Sequence, residues 1–320
     1  MAIPSTAQCD SLLSKVRARA SLVVLVCTLA SASLQAQADV SAVVVSGIGG
    51  VPEYSEAFDE QARVIGEALA TLSRDTASVT VLNAPDRDTF LDAVAQAASS
   101  ETDLFALVLI GHGSNDARSF RFNLPGPDPV TEDLVAALTT VKAQRQLVVV
   151  ATSASGAVLD ALAQPGRVVV TATRSGAEVN LVRFPRFFAE ALEDTRADLD
   201  RNEILTLAEA WRYTTSAVRE YYESESLLAS EHPELRGDDS NLISLARLGS
   251  LAESTDNPVV LELLDQRLEL EGEFAALKSR RDSLARADYY IELETLLLKI
   301  ARLQITIDEE TGWSDSDAES

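Results

Sequence analysis

Between residues 41 and 190, short β-branched runs alternate with stretches of helical periodicity, and few architectures accommodate that alternation. The runs are Ala42-Val43-Val44-Val45, Val79-Thr80-Val81-Leu82, residues 104–110, residues 147–151 and Val168-Val169-Val170-Thr171. Three of them are near-continuous aliphatic stretches, the composition of central strands buried on both faces. Helices fill the intervals. Phe58, Ala62, Ile65, Leu69 and Leu72 recur at four-three-four-three spacing, a second helix is predicted near 88–98, and a third follows the start signal Thr131-Glu132-Asp133. The expectation is an α/β fold with a mainly parallel sheet. Right-handed crossovers would place every strand's C-terminal end on one edge, where open α/β sheets gather ligand and catalytic groups.

Beyond this region, residues 182–228 read as mainly helical, interrupted by an acidic run at 194–203, and 229–256 as a polar loop region. Asn257-Pro258 is a helix start, a cap followed by Pro in the first turn. Tyr289, Leu293, Leu296, Ile300, Leu303 and Ile307 then repeat at helical spacing. With Leu261, Leu264 and Leu268 they predict an antiparallel helical hairpin over 257–307, either packed on the main domain or available for self-association. The tail, 308–320, holds six acidic residues and no basic one and is expected to be disordered.

Residues 1–38 read as a signal peptide, so the mature protein is expected to be exported, periplasmic or extracellular. Lys15, Arg17 and Arg19 precede a short apolar stretch at 22–30, and Ala36-Gln37-Ala38 offers small residues for cleavage. An uncleaved anchor is the other reading, although the stretch is short for a membrane span. Cleavage would leave 24 basic and 49 acidic residues and no cysteine in 39–320, which excludes thiolate chemistry there. The whole chain carries a formal charge of −23, which argues against nucleic acid and anionic membranes as partners. Two cysteines and two histidines are too few for a Cys/His zinc cage or a disulfide framework.

Two strand ends carry residues suited to chemistry. Gly111-His112-Gly113 follows the strand ending at Ile110, and Thr152-Ser153-Ala154-Ser155-Gly156 follows the strand ending at Ala151. If the two strands are neighbours, His112 as base lies beside Ser153 as nucleophile, and Gly113 presents a backbone N–H suited to an oxyanion. The same residues also read as a tight turn and a serine-capped helix start.

An apolar strand ending in His-Gly, followed by a strand ending in a nucleophile and x-Ser-Gly, resembles the caspase-like cysteine peptidases, the legumain type especially. Residues 43–50, 107–114, 148–156 and 168–176 fit that order, and 122–127 and 173–177 resemble exported bacterial members. The resemblance covers about 40–245 and implies a caspase-like three-layer α/β fold over 39–250, followed by the hairpin. It also puts Ser153 where those peptidases have their catalytic cysteine. A serine hydroxyl is far less acidic than a thiol, whose pKa is about 8.5. The Arg that the family's acid-specific members use soon after the first strand is missing from Gly47-Ile48-Gly49-Gly50-Val51-Pro52. The expectation is therefore a pseudopeptidase that binds a protein or peptide partner; the alternative is a serine-type hydrolase with a His112–Ser153 dyad.

Other enzyme classes fit less well. The five residues ending at Gly156 centre on Ala154, not on the Ser of a Gly-x-Ser-x-Gly elbow. A dinucleotide fold would want an acid where Asn83 ends the second strand. Asp198, Asp200, Asn202, Thr206 and Glu209 sit at calcium-loop spacing, with Glu203 where such loops have Gly. They are candidate ligands for calcium, the only cofactor suggested, and equally an acidic helix start. Asp116 could orient His112 or lie in a solvated loop, and His232 is expected on a surface loop, with no partner readable from the sequence.

Overall fold

Strand β1, Val40–Ser46, is buried at all of its positions, as its Ala42–Val45 apolar run leads one to expect of a strand covered on both faces. The computed structural model describes residues 40–73, 78–116, 119–199, 203–238, 240–248 and 257–311. The expected signal peptide lies outside them, and so do Asp200, Asn202 and the end of the acidic tail. After β1 the chain alternates α1 (Pro52–Ala70), β2 (Val79–Asn83), α2 (Arg87–Ala98) and β3 (Leu104–Gly111). A small antiparallel pair follows, β4 (Gly113–Asn115) with β5 (Phe120–Phe122), then α3 (Thr131–Thr139), β6 (Arg145–Thr152), α4 (Leu159–Leu162) and β7 (Arg167–Thr171). The remaining elements are α5 (Phe184–Glu193), β8 (Ile204–Thr206), α6 (Leu207–Ser224), β9 (Glu234–Arg236), β10 (Ser244–Arg247), α7 (Pro258–Ser279) and α8 (Arg286–Thr311).

Six strands form one sheet in the order β2-β1-β3-β6-β7-β9, parallel except for β9, which runs against β7. The fold is thus α/β with a mostly parallel central sheet. Alternating residues divide its two faces. Val44, Val108 and Val149 pack with α1, α5 and α6, while Val43, Leu107 and Val148 pack with α2 and α3. The predicted stripe of α1, Phe58, Ala62, Ile65, Leu69 and Leu72, is buried. Arg167 is buried among neutral acceptors, donating to Gln146 Oε1 (2.8 Å), Leu162 O (2.9 Å) and Leu138 O (3.0 Å).

Three features depart from the sequence reading. The region read as loop, 229–256, contributes β9 to the sheet edge and β10 to a pair with β8. Both strands are too short to show periodicity. The inner face of α7 is formed by Val260 and Leu264, against Leu303 and Ile307 of α8, while Leu261 is exposed. Finally, α8 runs past Ile307 to Thr311, with Gln304 Nε2 donating to Asp308 Oδ1 (2.7 Å) across one turn of its end. A second hairpin cluster holds Leu277, Tyr289 and Leu296. Arg247 of β10 pairs with Asp265 of α7, fastening the hairpin to the rest. No helix among the described residues is long and apolar enough to cross a membrane.

Candidate functional site

Strands β3 and β6 are hydrogen-bonded neighbours, with Gly111 opposite Thr152. The residues that follow, His112 and Ser153, therefore leave the same sheet edge side by side. Gly113 is required by contact: a Cβ there would lie 2.5 Å from Ser153 O and from the Phe120 ring. Ala154 adopts φ +56°, a left-handed conformation unfavourable for a residue with a Cβ. Its N–H donates to Glu178 O (2.7 Å). Behind it, Ser155 is fully buried, shares a hydrogen bond with the Thr173 hydroxyl (3.1 Å) and accepts one from Thr173 N (3.1 Å).

The side chains at the edge satisfy themselves separately. Ser153 Oγ accepts from Gly113 N (3.2 Å) and donates to Gly113 O (3.0 Å). The His112 Nε2 lies 3.2 Å from Gly49 O, which as an acceptor fixes the proton on Nε2 in the neutral ring. The imidazole is packed edge-on against Tyr54 and Phe58, at centroid distances of 6.1 and 5.4 Å. Strand order brings His112 and Ser153 to one sheet edge, yet neither hydrogen bond joins their side chains. The Gly113 N–H expected for an oxyanion donates to Ser153 Oγ instead. Asp116 accepts from Ser119 N (3.2 Å) and pairs with Arg121 (2.7 Å), so its carboxylate is engaged beside β5.

His232, for which the sequence offered no readable partner, is paired here while its side chain stays 41 % exposed. Its Nδ1 lies 2.7 Å from Glu178 Oε1, its backbone N–H donates to Glu178 Oε2 (3.1 Å), and Arg174 pairs with the same carboxylate (3.2 Å). Glu178 thus links the 231–232 segment to the turn that carries Ser153, through the bond from Ala154. The adjoining Glu231 is 2 % exposed and accepts from Arg183 N (2.7 Å), Phe184 N (3.1 Å) and Tyr222 Oη (3.1 Å). Burial pushes its carboxyl above the usual range despite these donors. Sequence reasoning missed both contacts, because they join segments about fifty residues apart that carry no shared pattern.

In the acidic loop, Asp198, Thr206 and Glu209 are described; Asp200 and Asn202 lie outside the described residues. Glu209 accepts from Leu199 N (3.1 Å), Thr206 N (3.0 Å) and Thr206 Oγ1 (2.7 Å), and Asp198 Oδ2 accepts from Glu203 N (2.7 Å). Glu203 takes φ +65°, the conformation a glycine would supply at that position. These bonds close the loop, and Thr206 with Glu209 forms a capping box at the start of α6. Among the described residues, no group of three or more acidic, His or Cys side chains is placed to hold a metal ion.

No protein-family model matches the chain, and no curated protein matches it closely enough to count as a relative.

Proposed function

We propose that this chain is an exported caspase-like protein of the legumain type, a pseudopeptidase that acts by binding a protein or peptide partner. The observation that carries the reading is the double hydrogen bond between Ser153 Oγ and Gly113, with His112 turned to Gly49 O. A nucleophile needs a base on its proton and a free oxyanion donor; here Gly113 takes the place of both. The mostly parallel sheet and the juxtaposed strand ends support the resemblance, and the serine supports loss of peptidase activity. The alternative hydrolase would need His112 to leave Gly49 and the hydroxyl to leave Gly113.

A serine-reactive fluorophosphonate tests the choice: the full chain is expected to remain unlabelled. Labelling that disappears in Ser153→Ala would overturn the reading in favour of the hydrolase. The kinship itself is tested by Ser153→Cys, whose thiol beside the imidazole should react with iodoacetamide at pH 6 faster than an exposed control cysteine. His112→Ala should remove that advantage. Equal rates throughout would show that the two positions do not form a vestigial catalytic pair.

A further inference from the structure

We propose that the open edge of β2 is a docking site for an extended basic segment of a partner protein, added as a further strand. Among the described residues β2 pairs with β1 alone and forms an outer edge of the sheet. Such edges are normally blunted by charge, proline or a bulge. Strand β2, Val79-Thr80-Val81-Leu82-Asn83, has no charged residue and no proline, and its register with β1 is unbroken.

A groove of about 630 Å³ runs along this edge, between β2 and the flank of α1. Its floor is Val79 and Val81 with Gly66 and Ala70. Val79, Val81 and Asn83 alternate along β2, so they share the sheet face that α1 covers. The wall is charged: Glu56, Asp59, Glu60 and Glu67 face it with one cation, Arg63, which is already held by Glu60 and Glu67 at 2.5 Å each. The lining carries three net negative charges. An added strand would direct every second side chain towards this wall, so complementarity asks for Lys or Arg at alternate positions. Backbone hydrogen bonds to β2 would supply affinity and the carboxylate row the selectivity. This surface is independent of the His112–Ser153 site, and its test does not depend on what that site does.

The experiment titrates the full chain into a fluorescent ten-residue peptide with Lys at alternate positions and Thr or Val between them. Binding is expected, weakened at least tenfold in three comparisons: lysines gathered into one block, proline at the centre of the peptide, and Glu56→Lys with Glu60→Lys in the protein. Both glutamates are exposed on α1, so the variant is expected to fold. Equal binding of the block or proline peptide would overturn strand addition, leaving only charge attraction. Equal binding by the variant, or none at millimolar peptide, would overturn the groove as the site. Sedimentation of the protein alone supplies the last outcome: a dimer abolished by Val81→Lys would assign the edge to a second copy and overturn the proposal.

Discussion

The central sheet and the C-terminal hairpin are both built from aliphatic repeats, yet they bury them to different extents. In β3 every position is buried, and Leu107 meets neighbours from both adjoining strands and from the helices above it. On α8 the apolar residues divide: Leu296 and Ile307 face α7, whereas Ile291, Leu298 and Ile305 are 63, 49 and 57 % exposed. A strand in mid-sheet is enclosed by hydrogen-bonded strands on both sides and helices on both faces, while a two-helix hairpin has one seam and an open back. The lesson is that equal hydrophobicity in a sequence does not mean equal contribution to stability. Enclosure decides it.

The largest expected effect tests this directly. Leu107→Ala should cost about 4 kcal/mol, because a rigid sheet cannot collapse onto the cavity, whereas Leu296→Ala, at the rim of its seam, should cost about 2 kcal/mol. Denaturant unfolding of the two variants gives the comparison, and equal losses would break it. Next, Arg247→Ala removes a pair in which the side chains are 9 and 14 % exposed, and should cost about 2–3 kcal/mol. Hydrogen exchange should then quicken in α7 and α8 and leave β3 and β6 protected. Uniform quickening would show that hairpin and sheet open as one unit.

Smaller effects concern the acidic groups of the α/β part. If residues 198–209 take up calcium with a dissociation constant of about 10⁻⁴ M, millimolar calcium adds about 1.4 kcal/mol. The expected rise in Tm is about 2–4 °C, absent in Glu209→Gln. No rise in the unmutated chain would leave Asp198 and Glu209 as hydrogen-bonding closures of the loop alone. The smallest is a pH slope at Glu231. Its carboxyl is raised in the folded state, so the stability it contributes is full below the usual Glu range and is lost as pH climbs through the raised value. Chemical denaturation from pH 4 upward should show the wild type losing stability relative to Glu231→Gln. Parallel curves would mean that the three donors hold the carboxylate as well as water does.

The long strands were legible because runs such as 104–110 and 147–151 leave no other burial pattern open. The placement of His112 beside Ser153 followed from the adjacency of successive strands. What those side chains do with their hydrogen bonds was not legible, since Gly113 offers Ser153 Oγ both a donor and an acceptor whatever the identity of its neighbours. The β4–β5 pair escaped for a different reason: Gly113-Ser114-Asn115 has no β-branched residue and is held in place by contact with Thr152 and Ser153. The hairpin's periodicity was plain, but the seam falls on Val260 rather than Leu261, because a one-residue rotation of a leucine-rich helix changes little in its pattern. His232 and Glu178 pair across 54 positions, a separation at which local sequence carries no signal.

The two bonds between Ser153 and Gly113 also act mechanically. The β3–β6 ladder ends at Gly111 and Thr152, and the serine hydroxyl adds one further stitch beyond it, made by a side chain instead of a peptide group. Sulfur is bulkier than oxygen and weaker as both donor and acceptor, so a thiol at this position would slacken the stitch while gaining reactivity. Under the proposed kinship, sheet closure and nucleophilicity would draw on the same atom. In this chain, the Ser153 hydroxyl holds two strand ends together.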